Sequence, residues 1–176
     1  MGDYMPNPEL FMDKDVSIKH FTDCVFGKYV AIDKGFYSTV IMDIGDWVHL
    51  AAYTSVIGGA GGIFKMGHFS GLSAGARVIC SGDDFSSGAL MNPQVPIKYR
   101  EPINAPVIFE MFTCLGTNSV VMPGVTLAVG SVVGASSVLT KNTEPWTIYV
   151  GCPAKPVKLR PKYKAIEYAR ELGYEC

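Results

Sequence analysis

Phe109, Leu115, Val121, Leu127, Val133 and Leu139 put one large apolar residue at every sixth position of an unbroken stretch. A helix would set its apolar residues three and four apart and a half-buried strand every second, so neither period explains six anchors in register. A three-sided coil does: its corners repeat three times per turn, and three hexads, about eighteen residues, close one rung of a solenoid. Each inward aliphatic then stacks on its counterpart in the next coil, with about 1.5–3 kcal/mol of transfer free energy for a fully buried side chain, a gain available only through neighbouring repeats. Gly116, Gly124, Gly130 and Gly134 fall between the anchors, where a missing Cβ permits turns closed to other residues.

The same spacing returns at Ile44, Leu50 and Val56, and again at Met66, Leu72 and Val78 after the glycine-rich "GGAGGIFK". Coils are therefore expected over residues 16–140 of a single domain, less regular at their start. The interruption at about 79–106, "ICSGDDFSSGALMNPQVPIKYREPINAP", is rich in Gly, Pro and polar residues and reads as a loop projecting from the stack. Loops of that length in compact domains are uncommon without a binding, lid or disorder explanation, so this one is the first place to look for chemistry. Residues 141–176 are expected to leave the coil and cap it. Within them "PKYKAIEYAREL" at 161–172 has Ala165, Ile166, Ala169 and Leu172 at helical spacing before Gly173, a short helix whose apolar face would cover the open end of the solenoid.

Composition removes several classes of function. A net charge of −1 and a pI near 6.3 give no general drive toward nucleic acid. Five cysteines, an odd number with no closely spaced pair, argue against a disulfide framework and for cytoplasmic thiols. The N-terminal "MGDYMPNPELFMDKD" has no basic region followed by an apolar core, and Pro6 stands where a myristoylation signal needs Ser or Thr. No apolar run reaches membrane length, so neither secretion nor membrane insertion is expected.

Over residues 107–160, "LGTNSVVMPGVTLAVGSVVGASSVLTKN" followed by "WTIYVGCPAKPVK" resembles the hexapeptide-repeat acyltransferases, especially the sugar O- and N-acetyltransferases; residues 38–106 match more weakly. The resemblance implies a left-handed parallel β-helix, acyl-CoA as cosubstrate with no metal, a homotrimer, and active sites in the grooves between subunits. It also implies that Gly116 and Thr117 lie beside the thioester and pantetheine arm, Gly134 and Ala135 bring backbone groups to pantetheine, and Thr140 and Lys141 approach the distal part of CoA. Lys155 and Arg160, in a C-terminal stretch of basic residues free of acids, are candidates for the nucleotide phosphates.

Many sugar O-acetyltransferases of this family carry a catalytic histidine where this chain has Asp83. Of its three histidines, only His68, in "KMGHFSG", is a candidate to reach the groove across a trimer interface. Asp83, Asp84, Glu101 and Glu110 are the acids around the loop and its return to the coil. A carboxylate can bind an incoming ammonium, take a proton through water, or act as a base through a raised pKa. A neutral amine needs less activation than a hydroxyl, which favours the amino group of a nucleotide-linked amino sugar, as used in polysaccharide synthesis, with backbone N–H groups at the oxyanion. The alternatives are a sugar O-acetyltransferase and a noncatalytic solenoid that binds a protein. Cys114 lies near the implied groove without a histidine partner and reads as packing, and Phe85, Tyr99, Phe109 and Phe112 are aromatic candidates for a sugar or base wall. The γ-type carbonic anhydrases share the coil, but His20, His49 and His68 do not reproduce their metal-binding spacing.

Overall fold

The computed structural model describes residues 9–59 and 61–176, so the reading of the first eight positions lies outside the described residues. Strands of mostly two residues form three sheets, one for each side of a parallel β-helix. On the first face Leu50, Leu72, Leu115 and Val133 lie in register. The second face aligns Val56, Val78, Val121 and Leu139, and the third aligns Ile44, Met66, Phe109 and Leu127. The six hexad anchors thus visit the third, first and second faces in turn, and each is no more than 1% exposed. A slip of one residue would turn an anchor from the core to the outside of the coil, which is why the period is held so strictly.

Three corners join the faces, and their chemistry differs. The first corner, between the first and second faces, is a column of small residues that includes Ser73, Gly116 and Gly134. A Cβ on Gly116 would stand 2.6 Å from the Ala135 nitrogen and 2.7 Å from the Gly134 carbonyl carbon, so only glycine lets these coils stack. At the third corner, between the third and first faces, Tyr29, Trp47, Phe69, Phe112 and Trp146 all adopt positive φ, uncommon for bulky residues. Their rings build an aromatic ladder outside the coil, with centroids 3.9 Å apart for Tyr29–Trp47 and 5.3 Å for Phe69–Phe112. Side chains at this corner also satisfy the backbone of adjoining coils: Asp46 accepts the Lys28 N–H, His68 Nδ1 the Asp46 N–H, and Glu110 the Val129 N–H.

The loop leaves the second corner after Cys80 and returns at Ala105, whose N–H donates to the Cys80 carbonyl, close to the expected boundaries. Its arms are zipped by antiparallel pairing of Ser81–Asp83 with Pro102–Asn104. Three expectations need correction. Among the described residues coil structure already includes Phe11–Met12, which pairs with Ala31–Ile32, because the early coils are irregular in spacing but not in hydrogen bonding. Beyond Thr140 the chain does not simply leave the coil: Thr147–Gly151 adds a parallel strand to the first face, and Ala154–Leu159 folds back on it antiparallel. The helix, Tyr163–Glu171, does not cover the end of the solenoid. It runs alongside the third corner, anchored before it by Arg160 on the Phe112 and Gly130 carbonyls and after it by Tyr174 against Asp46, Trp47 and His68.

Candidate active site

A cavity of about 710 Å³ opens at the second corner, between the coils and the base of the loop. Its wall is built from successive coils by Lys19 and His20, Thr39 and the Gly58–Gly59 turn, and from the loop by Asp83 and Arg100. The Thr39 hydroxyl accepts the N–H groups of both Gly58 and Gly59 at 3.1 Å, which fixes that turn.

Asp83 stands at the end of the outgoing arm of the loop. Its Oδ1 accepts Arg100 Nε–H at 3.0 Å and Nη2–H at 2.7 Å, and its Oδ2 accepts the Asn92 N–H at 2.7 Å. Both side chains of the pair are mostly covered, 14% exposed for Asp83 and 15% for Arg100. The Asn92 N–H and the Arg100 guanidinium hold the Asp83 carboxyl below the ordinary carboxylate value, so the surroundings favour its ionised form and do not make it a raised-pKa base. Asp84 is turned into the loop instead, where its carboxylate takes the hydroxyl and N–H of Ser86 and is held low by them. The Glu101 carbonyl accepts the Asp84 N–H, and the Glu101 side chain is exposed.

The remaining sequence candidates are distributed over the other corners. His68 and Glu110 lie at the third corner, where each accepts a backbone N–H and neither lines the cavity. The His68 ring packs 5.1 Å from that of Tyr174. Gly116, Thr117, Gly134 and Ala135 are brought together in the column of the first corner, as their shared place after the first-face strands requires. The N–H groups of Gly116 and Gly134 are already donated to the Val133 and Tyr149 carbonyls. Thr140 and Lys141 are exposed after the last second-face strand. Lys155 is exposed on the terminal hairpin, whereas Arg160 is committed to two carbonyls and lies over the Trp146 ring. Phe109 is core and Phe112 belongs to the aromatic ladder, while Phe85 and Tyr99 are exposed on the loop. Cys114 packs with its sulfur 3.8 Å from the Ser73 hydroxyl.

Arg100, Lys19, His20 and Ser73 were not singled out by the sequence pattern. Arg100 faces Asp83 across a span of chain with no periodicity, and Lys19 and His20 arrive from coils far back in the sequence; only the six-residue register, which places Lys19 after a second-face anchor, carries a trace of that meeting. Among the described residues no group of three or more His, Cys, Asp and Glu side chains is placed to hold a metal ion, and no helix is long and apolar enough to cross a membrane.

No protein-family model matches the chain. AntD, an N-acyltransferase from Bacillus cereus solved in complex with dTDP and 3-hydroxybutyryl-CoA, superposes with a TM-score of 0.87 at 32% identity, over 93% of this chain and 86% of AntD. A variant of AntD solved with dTDP-4-amino-4,6-dideoxyglucose and coenzyme A gives the same TM-score and identity. The dTDP-4-amino-4,6-dideoxy-D-glucose acyltransferase of Escherichia coli is 33% identical over 121 residues, 69% of this chain, and the chain spans 62% of that relative's length. A hexapeptide-repeat-containing acetyltransferase from Vibrio cholerae, 20% identical with a TM-score of 0.65 over 79% of this chain and 72% of its own, shares the fold. With its three-faced coil, its projecting loop and these relatives, the chain belongs to the hexapeptide-repeat acyltransferases of left-handed β-helix fold.

Proposed function

We propose that the protein is an acyl-CoA-dependent N-acyltransferase whose acceptor is the amino group of a nucleotide-linked amino sugar, a dTDP-linked 4-amino-4,6-dideoxyhexose being the form that its relatives support. One observation carries the assignment to this site. Variants of AntD solved with ligands replace a serine and, ten positions further on, an aspartate. Ser73 and Asp83 are the one serine and aspartate in this sequence with that order and spacing, and Asp83 is the ionised carboxylate at the cavity wall.

The chemistry follows from an acceptor that is a base in its own right. The neutral amine forms a bond to the thioester carbon, the carbonyl pair moves to oxygen, and the nitrogen becomes cationic. Its proton passes to the Asp83 carboxylate, directly or through one water; the oxyanion then re-forms the carbonyl as the C–S bond breaks and the CoA thiolate leaves. Asp83 returns the proton to the thiolate or to solvent. A carboxylate held low by its donors would serve a hydroxyl poorly, because it could not remove so weakly acidic a proton, but it can relay the far more acidic N–H proton of the cationic intermediate. The N–H groups of Gly116 and Gly134 are in use within the coil ladder, so the oxyanion donors are other groups aimed at the developing charge.

Ser73 and the Gly116, Thr117, Gly134 and Ala135 column occupy the first corner, and Asp83 the second. A site that uses both corners draws on two copies of the chain, which supports a homotrimer with active sites between subunits. The exposed Phe85, Leu90, Met91, Ile97 and Tyr99 on the loop supply apolar area for packing on the neighbouring copy. Acyl-CoA and nucleotide sugars meet in the cytoplasm, and the product is a building block for surface polysaccharide. Incubation with acetyl-CoA or 3-hydroxybutyryl-CoA and dTDP-4-amino-4,6-dideoxyglucose tests the assignment: the sugar nucleotide should gain the mass of one acyl group, and an unchanged mass with both donors would reject it.

A further inference from the structure

We propose that Arg100 is a positioning residue for acyl transfer: from the returning arm of the loop it fixes the Asp83 carboxylate at the cavity wall and leaves that carboxylate one acceptor position for the reacting nitrogen. The inference rests on the N-acyltransferase reading above. A carboxylate oxygen accepts about two hydrogen bonds. Both places on Asp83 Oδ1 are filled by Arg100, through Nε–H and Nη2–H, and one place on Oδ2 is filled by the Asn92 N–H. The vacant place is therefore on Oδ2, and the carboxylate cannot rotate to offer another without breaking the Arg100 pair.

The pair is not needed to close the loop. Ser81, Gly82 and Asp83 already pair with Asn104, Ile103 and Pro102. Further out, the Asp84 N–H donates to the Glu101 carbonyl and the Leu90 N–H to the Tyr99 carbonyl. What Arg100 adds to this backbone zipper is the orientation of a single side chain that lines the cavity, and both residues of the pair lie on that wall. A planar guanidinium that places two N–H groups on one oxygen defines that orientation in a way an ammonium cannot.

A double-mutant cycle with acyl-CoA and the amino sugar tests the role. Arg100→Gln should lower kcat by about 10- to 100-fold, the scale of a misplaced catalytic group, with the KM for acyl-CoA unchanged. Added to Asp83→Asn, the same substitution should cause no further loss of kcat, because the group it positions is already gone. Arg100→Lys, which keeps the charge and guards against a folding failure of the glutamine variant, should recover less than half of the lost kcat. Equal fractional loss of kcat in the wild-type and Asp83→Asn backgrounds would overturn the proposal by showing that Arg100 acts on substrate without Asp83, as would full activity of either single Arg100 variant. Absence of turnover in the wild-type protein with any amino sugar would instead overturn the N-acyltransferase reading itself.

Discussion

At the scale of single residues, Asp83 concentrates the functional claim, because it joins a loop, a cavity and a charge partner in one side chain. Asp83→Asn keeps the shape and removes the proton acceptor, so kcat should fall by about 100-fold or more, the usual contribution of a general acid–base group, while acyl-CoA binding measured by calorimetry stays unchanged. Equal loss of both, or of neither, would remove Asp83 from the chemistry. The pH dependence follows from the direction of its shift. With its native pKa lowered by the Asn92 N–H and by Arg100, Asp83 is already ionised where an ordinary carboxyl still titrates. The kcat/KM profile should therefore show one acid limb, that of the acceptor ammonium, rising with pH. A second limb above about pH 5, beyond the ordinary range of a carboxyl, would mean that the carboxylate is not held as the structure shows.

At the scale of elements, the corners decide what the coils can tolerate. Gly116→Ala introduces a Cβ against the backbone of Gly134 and Ala135, where no flexible side chain can yield. The cost should be about 1–3 kcal/mol, and the melting temperature should drop by about 2–4 °C for each kcal/mol in a domain of this size; a melt identical to wild type would show that the coils separate more easily than their register suggests. The terminal segment is held differently. The Tyr174 hydroxyl donates to Asp46 at 2.7 Å and accepts Trp47 Nε1–H at 3.1 Å, so Tyr174→Phe should destabilise by about 1 kcal/mol. Burial pushes the Asp46 carboxyl up, but the Tyr174 hydroxyl, the Lys28 N–H and the nearby His68 outweigh it and hold it below its ordinary value. A carboxyl lowered in the native state contributes stability above its unfolded pKa and loses it as the pH falls through the native one. The difference in melting temperature between wild type and Tyr174→Phe should accordingly be full near neutrality and shrink on acidification; a difference that grows in acid would contradict the anchoring through Asp46.

At the scale of the whole molecule, the coil was legible because one physical demand, the stacking of like positions, repeats until it shows in the sequence. Phe109 through Leu139 declared it, and the loop showed itself as the place where the demand lapses. The pairing of Asp83 with Arg100, the strands at Thr147–Gly151 and Ala154–Leu159, and the course of the helix along the aromatic corner were not legible. Each depends on one meeting between distant segments that leaves no period, and in the terminal hairpin prolines and glycine obscured the strands. The same geometry predicts a result for mixed assemblies. If Ser73 and Asp83 serve one site from two copies, co-folding a Ser73→Ala chain with an Asp83→Asn chain, each impaired alone, should restore activity, since some interfaces then join two intact halves; a mixture no better than its parts would place the site within one copy. The most direct measurement is free-CoA release with a dTDP-linked 4-amino-4,6-dideoxy sugar and, side by side, its 4-hydroxy counterpart. An N-acyltransferase should show saturable turnover that requires the amine, with the acyl group on nitrogen in the product. Equal or faster turnover of the hydroxy sugar, or no release with either, would contradict that reading.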